Sequence, residues 1–135
     1  MKTVLIIDTD LRFAFWLGRG LDQAGYLALP ASNVTSAKRL VAEMSATVDL
    51  VVISAAMPDS DSFLADLGRA RNGLVVIAVL DEPGPNRIVL PKADLLEYKP
   101  VDLSEDAKRE WVGVVELALA ARGLDVDPRL RFIRQ

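Results

Sequence analysis

Any chemistry in this chain must come from side chains set at the ends of short apolar runs. Asp8 and Thr9 follow VLII, Ser54 follows DLVVI, and Lys99 follows LLEY. A carboxylate can act as a base or hold a cation, a hydroxyl can be a nucleophile, and an ammonium can receive an anionic group. The composition offers little to activate the hydroxyl. The chain has no histidine and no cysteine, which excludes a Ser-His-Asp triad, thiolate chemistry and histidine or cysteine metal sites. Mg²⁺ takes one or two carboxylates, usually together with phosphate oxygens. Asp8 with a backbone carbonyl near Ala56 is a poor set for it, so no metal or other cofactor is expected. A flavodoxin-like cofactor enzyme would need a Gly-, Ser- or Thr-rich loop after the first strand, and DTDLRFAFWLG holds no glycine before Gly18.

The elements that must position these residues follow from patterning. Val4 to Ile7, Leu27 to Ala31, Leu50 to Ile53, Leu74 to Leu80 and Leu95 to Tyr98 are short apolar runs of the kind that form strands buried on both faces. Between them lie helical stretches. One is capped by Asp10 and closed by Gly25, with Phe13, Leu17, Leu21 and Ala24 as its core stripe. A second starts at Ser32 or Asn33 and places Val34, Ala37, Leu40, Val41 and Met44 on one face. A third, capped by Asp61 or Ser62, does so with Phe63, Leu64 and Leu67. The last runs from about Ser104 to Ala121 with Trp111, Val115 and Leu119 on one stripe. Strands alternating with helices predict βαβ units and a doubly wound parallel sheet. The stretch DEPGPNRIVLPKAD, with three prolines and a glycine, opposes a full helix. It is read as a loop with one or two turns near residues 86 to 90. In such a sheet, ligands and chemistry sit beyond the C-terminal strand ends, where Asp8, Ser54 and Lys99 fall.

With 135 residues, a net charge of −3 and 51% apolar residues, the chain fits one globular domain without a basic face for nucleic acid. The start MKTVLIIDTD is too short an apolar stretch for a secretory signal, and no run approaches the roughly 20 apolar residues of a membrane span. A cytoplasmic protein with no membrane or nucleic-acid partner is the expectation.

Three motifs in this order resemble the receiver domain of two-component response regulators. VLIIDTDLRFAFWLGRGLDQAGY resembles that family's first strand and helix, DLVVISAAMPDSD its phosphorylation strand with the Met-Pro loop, and LLEYKPVDLSE its fifth strand with Lys-Pro. The likeness covers about residues 2 to 121 and divides the chain into a receiver-like domain, 1–122, and a tail or linker, 123–135. It implies a CheY-like, flavodoxin-like (βα)5 sandwich with strand order 2-1-3-4-5, its fourth helix shortened or replaced by the proline-rich loop. It also implies a pocket whose positions have changed. Asp8 and Thr9 stand where the family has a Mg²⁺-binding acidic pair, Ser54 where it has the phospho-accepting aspartate, and Leu80 where it has a hydroxyl that binds the phosphoryl group. Lys99 keeps the family's lysine. Leu96 stands at the aromatic switch position, and Tyr98, on the same strand face, at the signalling surface. A degenerate pseudo-receiver follows from the resemblance, with Lys99 paired to Asp8, Leu80 packed on Leu96, and a cis bond before Pro100 as an option. A phosphoserine at Ser54 would be a stable ester rather than an acyl phosphate.

The function expected is that of a non-enzymatic signal-transduction module acting by phosphorylation-independent protein–protein contact. A protein partner, a fused effector or kinase domain, and a homodimer are all compatible with it. Phe15 and Trp16 lie off the first helix's stripe beside Arg12 and Arg19, a composition enriched at interfaces. The other reading has them covering the sheet edge or packing on the tail. Trp111 is weighed as interface against core edge. The basic, apolar tail RLRFIRQ suits either a linker or a segment docking back. A switch driven by a small ligand or by serine/threonine phosphorylation remains the alternative, and a flavodoxin-like cofactor enzyme is less favoured.

Overall fold

The computed structural model describes residues 1–81 and 92–123, the last two in backbone only. Among these residues lie five strands and four helices, in the order β1 (Thr3–Ile7), α1 (Leu11–Gln23), β2 (Leu27–Ala31), α2 (Val34–Met44), β3 (Leu50–Ser54), α3 (Ser60–Ala70), β4 (Val75–Leu80), β5 (Leu95–Tyr98) and α4 (Glu105–Gly123). All strand pairs are parallel and the order is β2-β1-β3-β4-β5, as the resemblance implied. The proline-rich segment falls mostly within 82–91, and the tail within 124–135. The expected shortening of a helix there and the role of the tail therefore lie outside the described residues.

The central strands are apolar throughout because both sheet faces are covered. β1, β3 and β4 are buried at every position. Alternation then divides the core into two layers. Val4, Ile6, Val52 and Ile77 meet α1 and α4 through Phe13, Leu17, Leu21, Trp111 and Val115. Leu5, Ile7, Val51, Ile53 and Ala78 meet α2 and α3 through Val34, Ala37, Phe63 and Leu64. The predicted stripes hold except at their ends: Ala24 caps α1 and is exposed, and Met44 is 50% exposed at the end of α2. The caps follow local chemistry. Asp10 Oδ1 accepts from the N–H groups of Arg12 and Phe13, and Asn33 Oδ1 from that of Ser36. α3 departs from expectation. Its cap is Asp59 in a left-handed conformation (φ 63°) with no side-chain cap bond, rather than Asp61 or Ser62.

Three glycines answer to geometry, one of them Gly73 with φ 92° shortly after α3. Gly25 has φ 96° just after α1, where other residues are strained. At Gly20 a Cβ would lie 2.7 Å from Lys108 Cγ and 3.0 Å from Val112 Cγ2. Its absence lets α4 lay the Lys108 stem against α1 while the ammonium reaches Glu105 at 3.0 Å. At the sheet's outer edge, Leu27 N–H donates to Lys2 and Asp8 N–H donates to the Ala31 carbonyl. Alternation therefore turns Leu27, Leu29 and Ala31 toward β1 and Pro30 outward. The proline's missing N–H costs the ladder nothing there.

Candidate functional site

The C-terminal ends of β1, β3 and β4 and the start of the β5–α4 connection converge on one pocket. Asp8 immediately follows β1 and is 2% exposed. Its Oδ1 accepts from Asp10 N–H at 2.8 Å and lies 3.1 Å from Lys99 Nζ. Its Oδ2 is buried without a hydrogen-bond partner. Lys99 is held in place by its backbone, whose N–H donates to the Leu80 carbonyl at 2.9 Å. Its ammonium stands 2.7 Å from Asp81 Oδ1, 3.8 Å from Asp10 Oδ2 and 5.4 Å above the Phe13 ring. Burial by itself lowers the lysine pKa. The hydrogen bonds to Asp81 and Asp8 and the charges of both carboxylates outweigh burial, so the pKa is raised above its usual value.

The remaining positions are already committed or point away. Ser54 ends β3, nearly buried, with Oγ accepting from Ala56 N–H at 3.3 Å. Thr9 is exposed. Leu80 is buried in the α2/α3-side core. Its expected partner is wrong: in the β4–β5 register Tyr98 stands opposite Leu80 and Leu96 opposite Ala78. Tyr98 packs on the core that contains Leu80, whereas Leu96 is 38% exposed. No peptide bond among the described residues is cis, so the bond before Pro100 is trans. Asp81, which the sequence placed at the border of this region after β4, was not among the predicted site residues, yet it is the lysine's nearest carboxylate. Its signal was its place at the end of β4, beside the strand that delivers Lys99.

The aromatic residues separate by burial. Trp111 is 5% exposed and packs edge-on against Phe13, ring centroids 5.5 Å apart, so it belongs to the core and offers no interface. Trp16 is half-buried and tilts against Phe13 at 5.9 Å. Phe15 is 59% exposed and Leu11, one turn earlier, 41%. A cleft of about 350 Å³ opens between Asp10, Arg12 and Phe13 on one side and Pro100, Val101 and Leu103 on the other.

No family model and no curated protein matches the chain. Solved structures do. A CheY-like response regulator receiver domain from Methanospirillum hungatei JF-1 superposes with a TM-score of 0.69 at 18% identity, over 93% of this chain and 98% of that one. The N-terminal domain of a response regulator/sensory box/GGDEF 3-domain protein from Carboxydothermus hydrogenoformans gives 0.70 at 17%, over 92% and 98%. The signal receiver domain of an HD domain-containing protein from Pseudomonas fluorescens Pf-5 gives 0.67 at 22%, over 92% and 90%. The chain has the receiver fold.

On a receiver fold the pocket invites a test for Mg²⁺, because the resemblance implies an acidic pair that would hold one. Mg²⁺ needs near-octahedral oxygens at about 2.0–2.1 Å. Here Asp8 Oδ1 is taken by a backbone N–H and the ammonium, Asp10 Oδ1 caps α1, and Ser54 Oγ is turned to Ala56 N–H. Among the described residues no group of three or more acidic, histidine or cysteine side chains is arranged to hold a metal. The donor set does not fit the ion. An ammonium, not an open coordination site, fills the space between the carboxylates of this receiver-fold pocket.

Proposed function

We propose that the chain is a receiver-fold module of signal transduction that works through contact with a protein partner or a fused effector, without phosphorylation at position 54. The observation that carries this reading is the Lys99 ammonium, already bound by Asp8 at 3.1 Å and Asp81 at 2.7 Å. In a phosphorylatable pocket that ammonium meets an oxygen of a phosphoryl group carried on a carboxylate nucleophile. Here the acceptor position is a hydroxyl that accepts from Ala56 N–H, and no base among the hydrogen bonds of Ser54 activates it. A pseudo-receiver of this kind performs no catalysis. Structural neighbours that carry further domains support the coupling to an effector: one is described as the N-terminal domain of a three-domain regulator and another as a receiver modulated diguanylate cyclase. Residues 123–135 would then serve as the linker. No described helix is long and apolar enough to cross a membrane, which suits a module working in the cytoplasm. Phe15 and Leu11, exposed on one face of α1, are the surface offered to a partner, a second copy included.

The test is incubation with acetyl phosphate and Mg²⁺, followed by intact-mass measurement and tryptophan fluorescence. The expected result is no added phosphate mass and no change in emission. A stoichiometric adduct labile to acid and base would overturn the proposal.

A further inference from the structure

A further cavity lies at the opposite end of the sheet from Lys99, where β4 begins and the chain enters β5. It holds about 360 Å³ between the second half of α3, the turn after that helix and the segment leading into β5. Size alone does not set it apart, since the cleft beside Phe13 is nearly as large; its walls do. Leu64, Leu74 and Val76 give it an apolar floor, and Arg71 and Lys92 bring two cations to it. Ligand sites combine such elements, a concave apolar body with a few polar groups that fix orientation. We propose that this cavity binds a small organic anion, an acidic group carried on an apolar body, and so gives the fold an input of its own. The site stands apart from position 54 and from whatever happens there.

Three details of the walls point to a ligand. Arg71 is anchored, with Nη2 2.7 Å from Asp49 Oδ1, while Asp49 Oδ2 accepts from Thr3 N–H at 2.7 Å. Its Nε–H is buried and meets no acceptor among the described residues, and an unmet buried donor is costly. Lys92 is exposed and forms no ion pair among the described residues. The carboxylate in the wall, Asp94, is engaged with the backbone instead. Its Oδ2 accepts from Val76 N–H at 2.8 Å, and its own N–H donates to the Val76 carbonyl at 2.8 Å. Those two bonds join β4 to the approach to β5, so a ligand in the cavity touches the joint that positions β5. Gly68 is the third detail. A glycine inside a helix weakens it relative to alanine. Neither a positive φ nor a close neighbour calls for one here, because a Cβ at Gly68 would meet nothing within 4 Å. What the glycine does is leave the α3 side of the cavity open.

Naphthoate is the probe, followed through the amide chemical shifts of the isotope-labelled full chain. The expected result is saturable binding with a Kd of about 1 mM or tighter, with the largest shifts at Asn72, Gly73, Val76 and Asp94. Neutral naphthamide should bind at least about tenfold more weakly, because it lacks the charge that Arg71 and Lys92 attract. Lys92→Gln should keep the fold and weaken naphthoate binding about threefold. Gly68→Phe should fill the cavity and abolish binding, whereas Gly68→Ala should raise the melting temperature and leave binding in place. Naphthyl phosphate separates the two acids that could carry the charge: tighter binding than naphthoate assigns a phosphate ester, weaker binding a carboxylate. Absence of shifts at those amides up to the solubility of naphthoate and naphthyl phosphate would overturn the proposal. So would naphthamide binding as tight as that of naphthoate, or unchanged affinity in folded Gly68→Phe. If Gly68→Phe does not fold, the naphthamide comparison and Lys92→Gln carry the test, and equal affinities in both count against the site.

Discussion

Replacing Asp8 with alanine asks whether the pocket is now structural. The substitution removes a charge-assisted acceptor from Asp10 N–H and one side of the Lys99 cluster. A hydrogen bond to a charged group contributes about 1.5–3 kcal/mol. Breaking a buried ion pair outright costs about 3–5 kcal/mol. The lower part of that range applies here because Lys99 keeps Asp81 at 2.7 Å. Against these losses, the variant is relieved of the buried, unpartnered Oδ2, a benefit of about 1–3 kcal/mol. The net expectation is a loss of about 2 kcal/mol. For a domain of this size that is a fall in melting temperature of about 8 °C and a urea midpoint lower by about 1 M, read through the emission of the buried Trp111. Active-site carboxylates held apart for chemistry behave in the opposite way, because relieving their strain stabilises a protein. An Asp8→Ala variant more stable than its parent would therefore refute the structural reading of the pocket and reopen the case for chemistry there.

Two further outcomes can be checked with the same instruments. The folded-state pKa of Lys99 is raised above its ordinary 10.5, so its share of stability is fully present below about pH 10.5 and is lost as the pH climbs through the folded value. The parent should lose more stability than Lys99→Gln across that alkaline window, and equal losses would contradict the assignment. Trp111→Ala should cost about 3–5 kcal/mol, as for other buried aromatics, while Phe15→Ser stays within about 0.5 kcal/mol. A large thermal shift for Phe15→Ser would place that ring in the fold rather than on the surface.

Much of the scaffold was legible because both of its signals are local. Runs such as VLII and LLEY mark strands by their apolar continuity, and Asp10 and Gly25 punctuate α1 through side-chain capping and positive φ. The Lys99–Asp8 pair was also within reach, because strand order brings their termini together. What stayed hidden depends on register and on choices among neighbours. Leu96 and Leu80 face the same side, yet a two-residue offset puts Tyr98 opposite Leu80. Asp81 is an exposed acidic residue in the sequence's most irregular region, and only the position of Nζ makes it the lysine's nearest partner. Nothing in PDSDS told Asp59 from Asp61 as the start of α3, because the cap there rests on backbone conformation and not on a side-chain bond. Trp111 could be assigned to a stripe but not to a depth until Phe13 was seen beside it.

The outward-facing Pro30 bears on how copies of this chain can meet. A free parallel edge is a template for a stranger's strand, and it is the usual route by which sheet proteins polymerise. At β2 the template lacks a donor at Pro30, the fourth residue of the strand, which works against a second molecule's strand pairing on that side. Were copies of this chain to associate, that edge would favour closed contacts between helices, which stop growing once their faces are filled, over open-ended strand stacking.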